Sequence, residues 1–226
     1  MQYNISMKIY HGSTSAIEKP KYKGSNYQND YGPAFYMTVD LEAAKIWACR
    51  HNVVGVVNVY DVDTRIFNNL KVLDLTDKSK YSVLNWLAIL MHFRALRSTY
   101  EKENSLVLNW LSQYYINVNE YDVVIGYRAD DNYFKFPLNF LNGRISLDDL
   151  ENVFLMGNLG IQYAFISERS IRVLHFEKYL ECDDLYLSEY YKIVTKASEE
   201  VAKLVNQPLN PNKTYIMDIL RRKDER

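Results

Sequence analysis

The sequence holds little that could cross-link, anchor or cradle. Two cysteines, Cys49 and Cys182, are all that 226 residues contain; far apart and without zinc-site spacing, they exclude a disulfide scaffold and suit a reducing compartment. No apolar run approaches the ~20 residues a spanning helix needs. The longest, "WLAILMHF", is far shorter, and "MQYNISMKIY" lacks the apolar core of an export leader, so the reading is a cytoplasmic protein with no membrane partner. A formal net charge of -1 leaves no overall field to attract a polyanion, and any nucleic-acid contact would need a local patch. Neither GxGxxG nor GxxxxGK[ST] occurs, so the usual phosphate cradles are missing. The four histidines, His11, His51, His92 and His175, show no metal-ligand spacing, and no metal is expected. No repeat or low-complexity segment is visible.

What is present suits an ordinary folded chain. Hydrophobic residues make up 48% and charged residues 24%, a balance that buries a core rather than staying disordered. Tyrosine is abundant, 20 against 9 Phe and 3 Trp. Its apolar face and polar tip serve strands, ligand walls and interfaces alike.

Along the chain, "MKIY" reads as a strand and the segment from "HGSTS" to "DYGP" as a loop punctuated by Gly and Pro. "AFYMT" is a strand, and "VDLEAAKIWACRH" a helix with an acidic cap. "VVGVVNVYDVD" and "KVLDL" are strands. Residues 81–115 change to helical periodicity with a break near "YEKENS". "YDVVIG" is a buried strand that runs into a polar turn, "YRADDNY", and a second apolar run. "SLDDLENVFLMGNLG" carries helix start and stop signals, "IQYAFIS" is a strand, and "ERSIRVLHF" a short helix or turn. Trp47, Trp86 and Trp110 fall on apolar helix faces and read as core. From Leu185 the chain is helical and charged, an appended arm of residues 185–226. Strands first, helices inserted at about 78–115 and strands again give an α+β domain over residues 1–184 rather than a doubly wound sheet.

Three stretches, "YHGST", "DYGPAFYMT" and "IQYAFIS", together with "ADD" at 129–131, fall in an order that resembles the ADP-ribosyltransferase superfamily. The nearest likeness is to bacterial ADP-ribosyltransferase-like domains with "YHGS", "DYGxGFYxT", "ADD" and a Gln-led last strand, over roughly residues 7–175. The resemblance implies a split antiparallel β-sheet core with inserted helices and a C-terminal helical extension. It also implies NAD as substrate, cleaved between nicotinamide and ribose and transferred to a protein or nucleic-acid acceptor. His11 would bond the ribose hydroxyls, with Gly12 letting the backbone approach the carboxamide and Ser13 adding a hydrogen bond. Tyr36 would stack on the nicotinamide, with Tyr31 and Thr38 beside it. Gln162 stands where the best-known relatives place a catalytic glutamate. It would orient the ribose while a negative charge comes from elsewhere, Asp130 and Asp131 being the candidates, or read the substrate ahead of a catalytic acid in a shifted register, which Ala164 disfavours, or belong to a site that only binds NAD or ADP-ribose and recruits a partner. Ala34 replaces a glycine of the resembled motif. The family's setting adds toxin or defence roles and a neutralising, antitoxin-like partner; RNA 2'-phosphate transfer to NAD is a third reading that would require a basic groove.

Overall fold

Two small sheets that touch at a single bridge organise the chain. The computed structural model describes residues 6–94, 105–129, 134–156 and 160–224. In chain order the strands are β1 (Ser6–Ser13), β2 (Phe35–Met37), β3 (Val56–Asp63), β4 (Val72–Asp74), β5 (Val123–Tyr127), β6 (Ile161–Phe165) and β7 (His175–Glu181). One sheet has the order β1-β3-β7 and is antiparallel throughout; the other has the order β2-β6-β5-β4. They meet where Tyr10 and Thr38 exchange backbone hydrogen bonds of 2.8 and 2.9 Å. The chain is an α+β protein.

The expectation of an antiparallel core needs correction at one edge. Strands β4 and β5 are parallel, which is possible because a long helical excursion returns the chain to the starting end. That excursion contains helices at Val83–Arg94 and Ser105–Ser112. Preceding them is α1 (Leu41–Ala48), capped by Asp40, whose carboxylate accepts from the backbone N–H groups of Glu42 and Ala43, and the single turn α2 (Thr64–Phe67). The two helices of the excursion are therefore α3 and α4. The apolar run after the polar turn is helix α5 (Lys135–Leu141): Phe136 and Phe140 are spaced one turn apart and both fully buried. Helix α6 (Leu147–Met156) follows, and a Ser167 capping box opens the turn α7 (Glu168–Ile171). Strand β7 was missed in the sequence because "HFEKYLE" is an exposed edge strand, mostly polar, with only partial alternation.

The C-terminal residues pack against the rest of the chain. Helix α8 (Leu185–Val205) lies against α1 and α5, and helix α9 (Ile216–Asp224) against α4. Ala197 and Ile216 are fully buried in the main apolar cluster with Trp86, Leu87 and Phe140. Truncating a buried Ile should cost about 2–5 kcal/mol. Ile216→Ala is thus expected to lower the urea midpoint with an unchanged slope, and a loss under about 0.5 kcal/mol would place this segment outside the core. No helix among the described residues is long and apolar enough to cross a membrane.

Candidate functional site

Beyond the Tyr10–Thr38 bridge, β1 and β2 part, and the side chain of His11 spans the gap. Its Nδ1 lies 2.6 Å from the Tyr36 carbonyl oxygen and its ring stacks on Phe35 at 4.3 Å. A carbonyl only accepts, so Nδ1 carries the hydrogen and Nε2 is the bare acceptor. Burial pushes the imidazole down to about 4, against the Tyr36 carbonyl but aided by the charges of Arg50 and Arg128. His11 is therefore neutral near pH 7. Tyr36 is fixed from the other end, its hydroxyl donating to the Gly32 carbonyl at 2.6 Å and accepting from the Tyr31 N–H at 3.0 Å. Gly32 holds φ at +78°, which a side chain would resist.

Gln162 enters from β6, opposite Gly126 of β5, and is 3% exposed. Its Nε2 donates to Asp30 Oδ2 at 2.7 Å and, more weakly, to the Tyr127 carbonyl at 3.4 Å. Asp30 also accepts from the Ala129 N–H at 2.8 Å and pairs with Arg94 Nε at 2.9 Å. Burial raises the Asp30 carboxyl above the ordinary carboxylate range, while Arg94, the Ala129 N–H, Gln162 and Arg128 work in the opposite direction.

His11, Tyr36 and Gln162 line one cleft of about 390 Å³, within the range of small-ligand sites. Among the described residues, five cations, Lys19, Lys21, Arg50, Arg94 and Arg128, face it against one carboxylate, that of Asp30. Trp47, the next-to-last residue of α1, lies under two guanidinium groups, Arg50 at 4.2 Å and Arg128 at 4.4 Å from the ring centroid. The cation–π contacts keep both cations at the wall. Neighbouring Asn58 is fully buried on β3 opposite His11; it donates to the His11 carbonyl and Ser13 Oγ and accepts from the Ile17 N–H. It ties the start of the long loop that carries Lys19 and Lys21.

The remaining residues named from the sequence have other surroundings. Gly12 faces α1, where a Cβ would fall 2.2 Å from the Ala44 carbonyl oxygen, so its bareness serves helix packing. Ser13 Oγ donates to the Ser15 carbonyl and accepts from Asn58. Tyr31 is a core ring, 1% exposed, with its hydroxyl donating to the Tyr127 carbonyl at 2.8 Å. Thr38 is 3% exposed and its Oγ1 accepts from the Asp40 N–H. None of these four is among the cleft's walls, whereas Ala34 is. Asp130 and Asp131 lie outside the described residues. Missed in the sequence were Asp30, Arg50, Arg94 and Arg128 as wall residues and Asn58 as a tie; Trp47, read as core, is a wall. Among the described residues no three of His, Cys, Asp and Glu come together as a metal site.

A family model described as "Protein of unknown function (DUF3990)" matches residues 7–176, three quarters of the chain. The chain belongs to this family. The matched stretch runs from β1 into β7 and contains every wall residue of the cleft, while α8 and α9 lie beyond it. No curated protein and no solved structure gives a significant match.

Proposed function

We propose that this chain is an NAD-dependent ADP-ribosyltransferase with an ADP-ribosyltransferase-like core, acting in the bacterial cytoplasm as a toxin or defence effector. The observation that carries the reading is the composition of the cleft. Three residues suited to a ribosyl-nicotinamide unit, His11, Tyr36 and Gln162, share it with a set of cations suited to a diphosphate.

In this reading, His11 Nε2 accepts from a ribose hydroxyl, a task that a neutral imidazole with its other nitrogen occupied performs without titrating near pH 7. The Tyr36 ring packs on the nicotinamide, held by its hydroxyl bonds. Arg50 and Arg128 take the diphosphate. The bond between ribose C1' and the nicotinamide nitrogen breaks, the electron pair leaves with neutral nicotinamide, and C1' is attacked by a nucleophile of a macromolecular acceptor, which loses its proton. An enzyme of this kind would need a neutralising protein in its own cell. A second reading, an NAD or ADP-ribose binding module that recruits a partner, is favoured by one observation: Gln162 is neutral and already bonded to Asp30.

The test is incubation of the purified chain with NAD labelled in its adenylate half, with and without bacterial lysate. Release of nicotinamide, or label on protein or nucleic acid, supports the transferase. Binding of NAD without cleavage over long incubation supports the module, and absence of binding ends both readings.

A further inference from the structure

A glutamine at position 162 leaves the transferase reading without its expected carboxylate, yet a carboxylate is present one hydrogen bond away. We propose that Asp30 and Gln162 act as one unit, in which the aspartate supplies the negative charge and the glutamine amide presents the oxygen that meets the ribose. This deepens the transferase reading and rests on it.

The geometry fixes the roles. Beside the Arg94 guanidinium Asp30 is a carboxylate and only accepts, so the atom of Gln162 at 2.7 Å from Asp30 Oδ2 is the amide nitrogen. The second amide hydrogen is directed at the Tyr127 carbonyl. That carbonyl already accepts from the Tyr31 hydroxyl at 2.8 Å and from Trp86 Nε1 at 3.1 Å, so the bond to Asp30 is the one that orients the amide, and Oε1 is the acceptor that Gln162 has to offer at the cleft wall. A donor bonded to a carboxylate polarises the amide and raises the negative charge on Oε1, since hydrogen bonds in a chain strengthen one another. Asp30 is itself pinned, by the Ala129 N–H and by Arg94, and sits on the turn that also holds the Tyr36 hydroxyl. A fixed charge close to a developing cation acts most strongly where water is excluded. Asp30 is 5% exposed.

In the step concerned, the C1'–nitrogen bond breaks, neutral nicotinamide departs with the electron pair, and positive charge moves onto ribose C1' and its ring oxygen. Oε1 of Gln162 accepts from a ribose hydroxyl, and the Asp30 charge opposes the cation. With water as acceptor, water adds at C1' and releases a proton, giving ADP-ribose. Asp30 is thus a positioning and charge-supplying residue that works through Gln162.

The experiment measures nicotinamide release from NAD, with water as acceptor, for wild type and three variants. Asp30→Asn keeps the shape and removes the charge; kcat is expected to fall at least about 30-fold with KM within about threefold, since the charge matters in the transition state more than in binding. Asp30→Asn combined with Gln162→Glu moves the charge by one hydrogen bond and is expected to recover kcat to within about tenfold of wild type, which a purely structural aspartate would not allow. Gln162→Glu alone should give no gain, because two carboxylates in contact hold one proton between them and the unit keeps a single charge. Wild-type kcat in Asp30→Asn, or a tenfold gain in Gln162→Glu, overturns the proposal while leaving the transferase reading intact. The second arm does not depend on Asp30→Asn folding. No nicotinamide release by wild type overturns both.

Discussion

His11→Ala is expected to reduce nicotinamide release by about 10²–10³-fold while leaving the fold intact. The side chain bridges the two sheets through a hydrogen bond to the Tyr36 carbonyl, so its loss removes the proposed ribose acceptor and loosens the placement of Tyr36 at the same time. A misplacement of about 1 Å at a reacting centre can cost 10² in rate. The same residue leaves a signature in stability. The ordinary imidazole value is 6.5 and the folded value about 4, so between these the unfolded chain binds more protons, and stability rises with pH through that window. Wild type is expected to lose on the order of 2 kcal/mol between pH 6.5 and 4, allowing for the partial exposure of the ring. His11→Ala lacks that component. Chemical denaturation at pH 7 and pH 4.5 separates the two proteins, and equal slopes would refute a neutral, buried His11. The rate profile of wild type should show no inflection from this group near pH 6.5.

Arg50→Glu is expected to weaken NAD binding by on the order of 10²-fold, read by titration calorimetry, with the wild-type affinity itself falling as salt is raised. Arg50 sits just past the end of α1, where its guanidinium donates to the Trp47 carbonyl at 3.1 Å and lies over the Trp47 ring. A charge-assisted hydrogen bond contributes about 1.5–3 kcal/mol, and reversing the charge adds repulsion against a diphosphate. The neighbouring Arg128 is 8% exposed, and its substitution would disturb the core as well as the cleft. Unchanged affinity in Arg50→Glu would mean that the diphosphate does not lie along the Trp47 wall.

The elements that could be read from the sequence were those whose information is local. The Asp40 cap, the Ser146 and Ser167 turns and the period of residues 83–94 are all contained within a few positions, and the structure has helices there. The wall residues of the cleft were only half legible. His11, Tyr36 and Gln162 sit in short motifs, but Arg50, Arg94 and Arg128 follow a helix, end a helix and follow a strand, positions at which an arginine is ordinary. Only the packing of α1, α3 and β5 around one opening turns them into a set. Trp47 shows the limit of periodicity, which gives the face of a helix but not what covers it: the face of α1 beside Ala44 and Ala48 meets β1, and Trp47 at its margin meets two guanidinium groups instead of the core. Asp30 was passed over because its partners come from α3, from the segment after β5 and from β6. The polarity of β4 was equally hidden, since three residues of strand carry no sign of direction.

The contact between Gly12 and helix α1 also acts as a gauge. His11 precedes Gly12 on the strand, and Trp47 and Arg50 flank Ala48, whose backbone is seated on that glycine. The span between the imidazole and the guanidinium is consequently set by how closely the helix backbone approaches the strand, with no side chain between them. A methyl group at position 12 would wedge the helix outward and lengthen that span without touching any ligand. Gly55, bare against the Ala48 carbonyl, holds the same end of the helix, so two missing side chains set the width of the cleft.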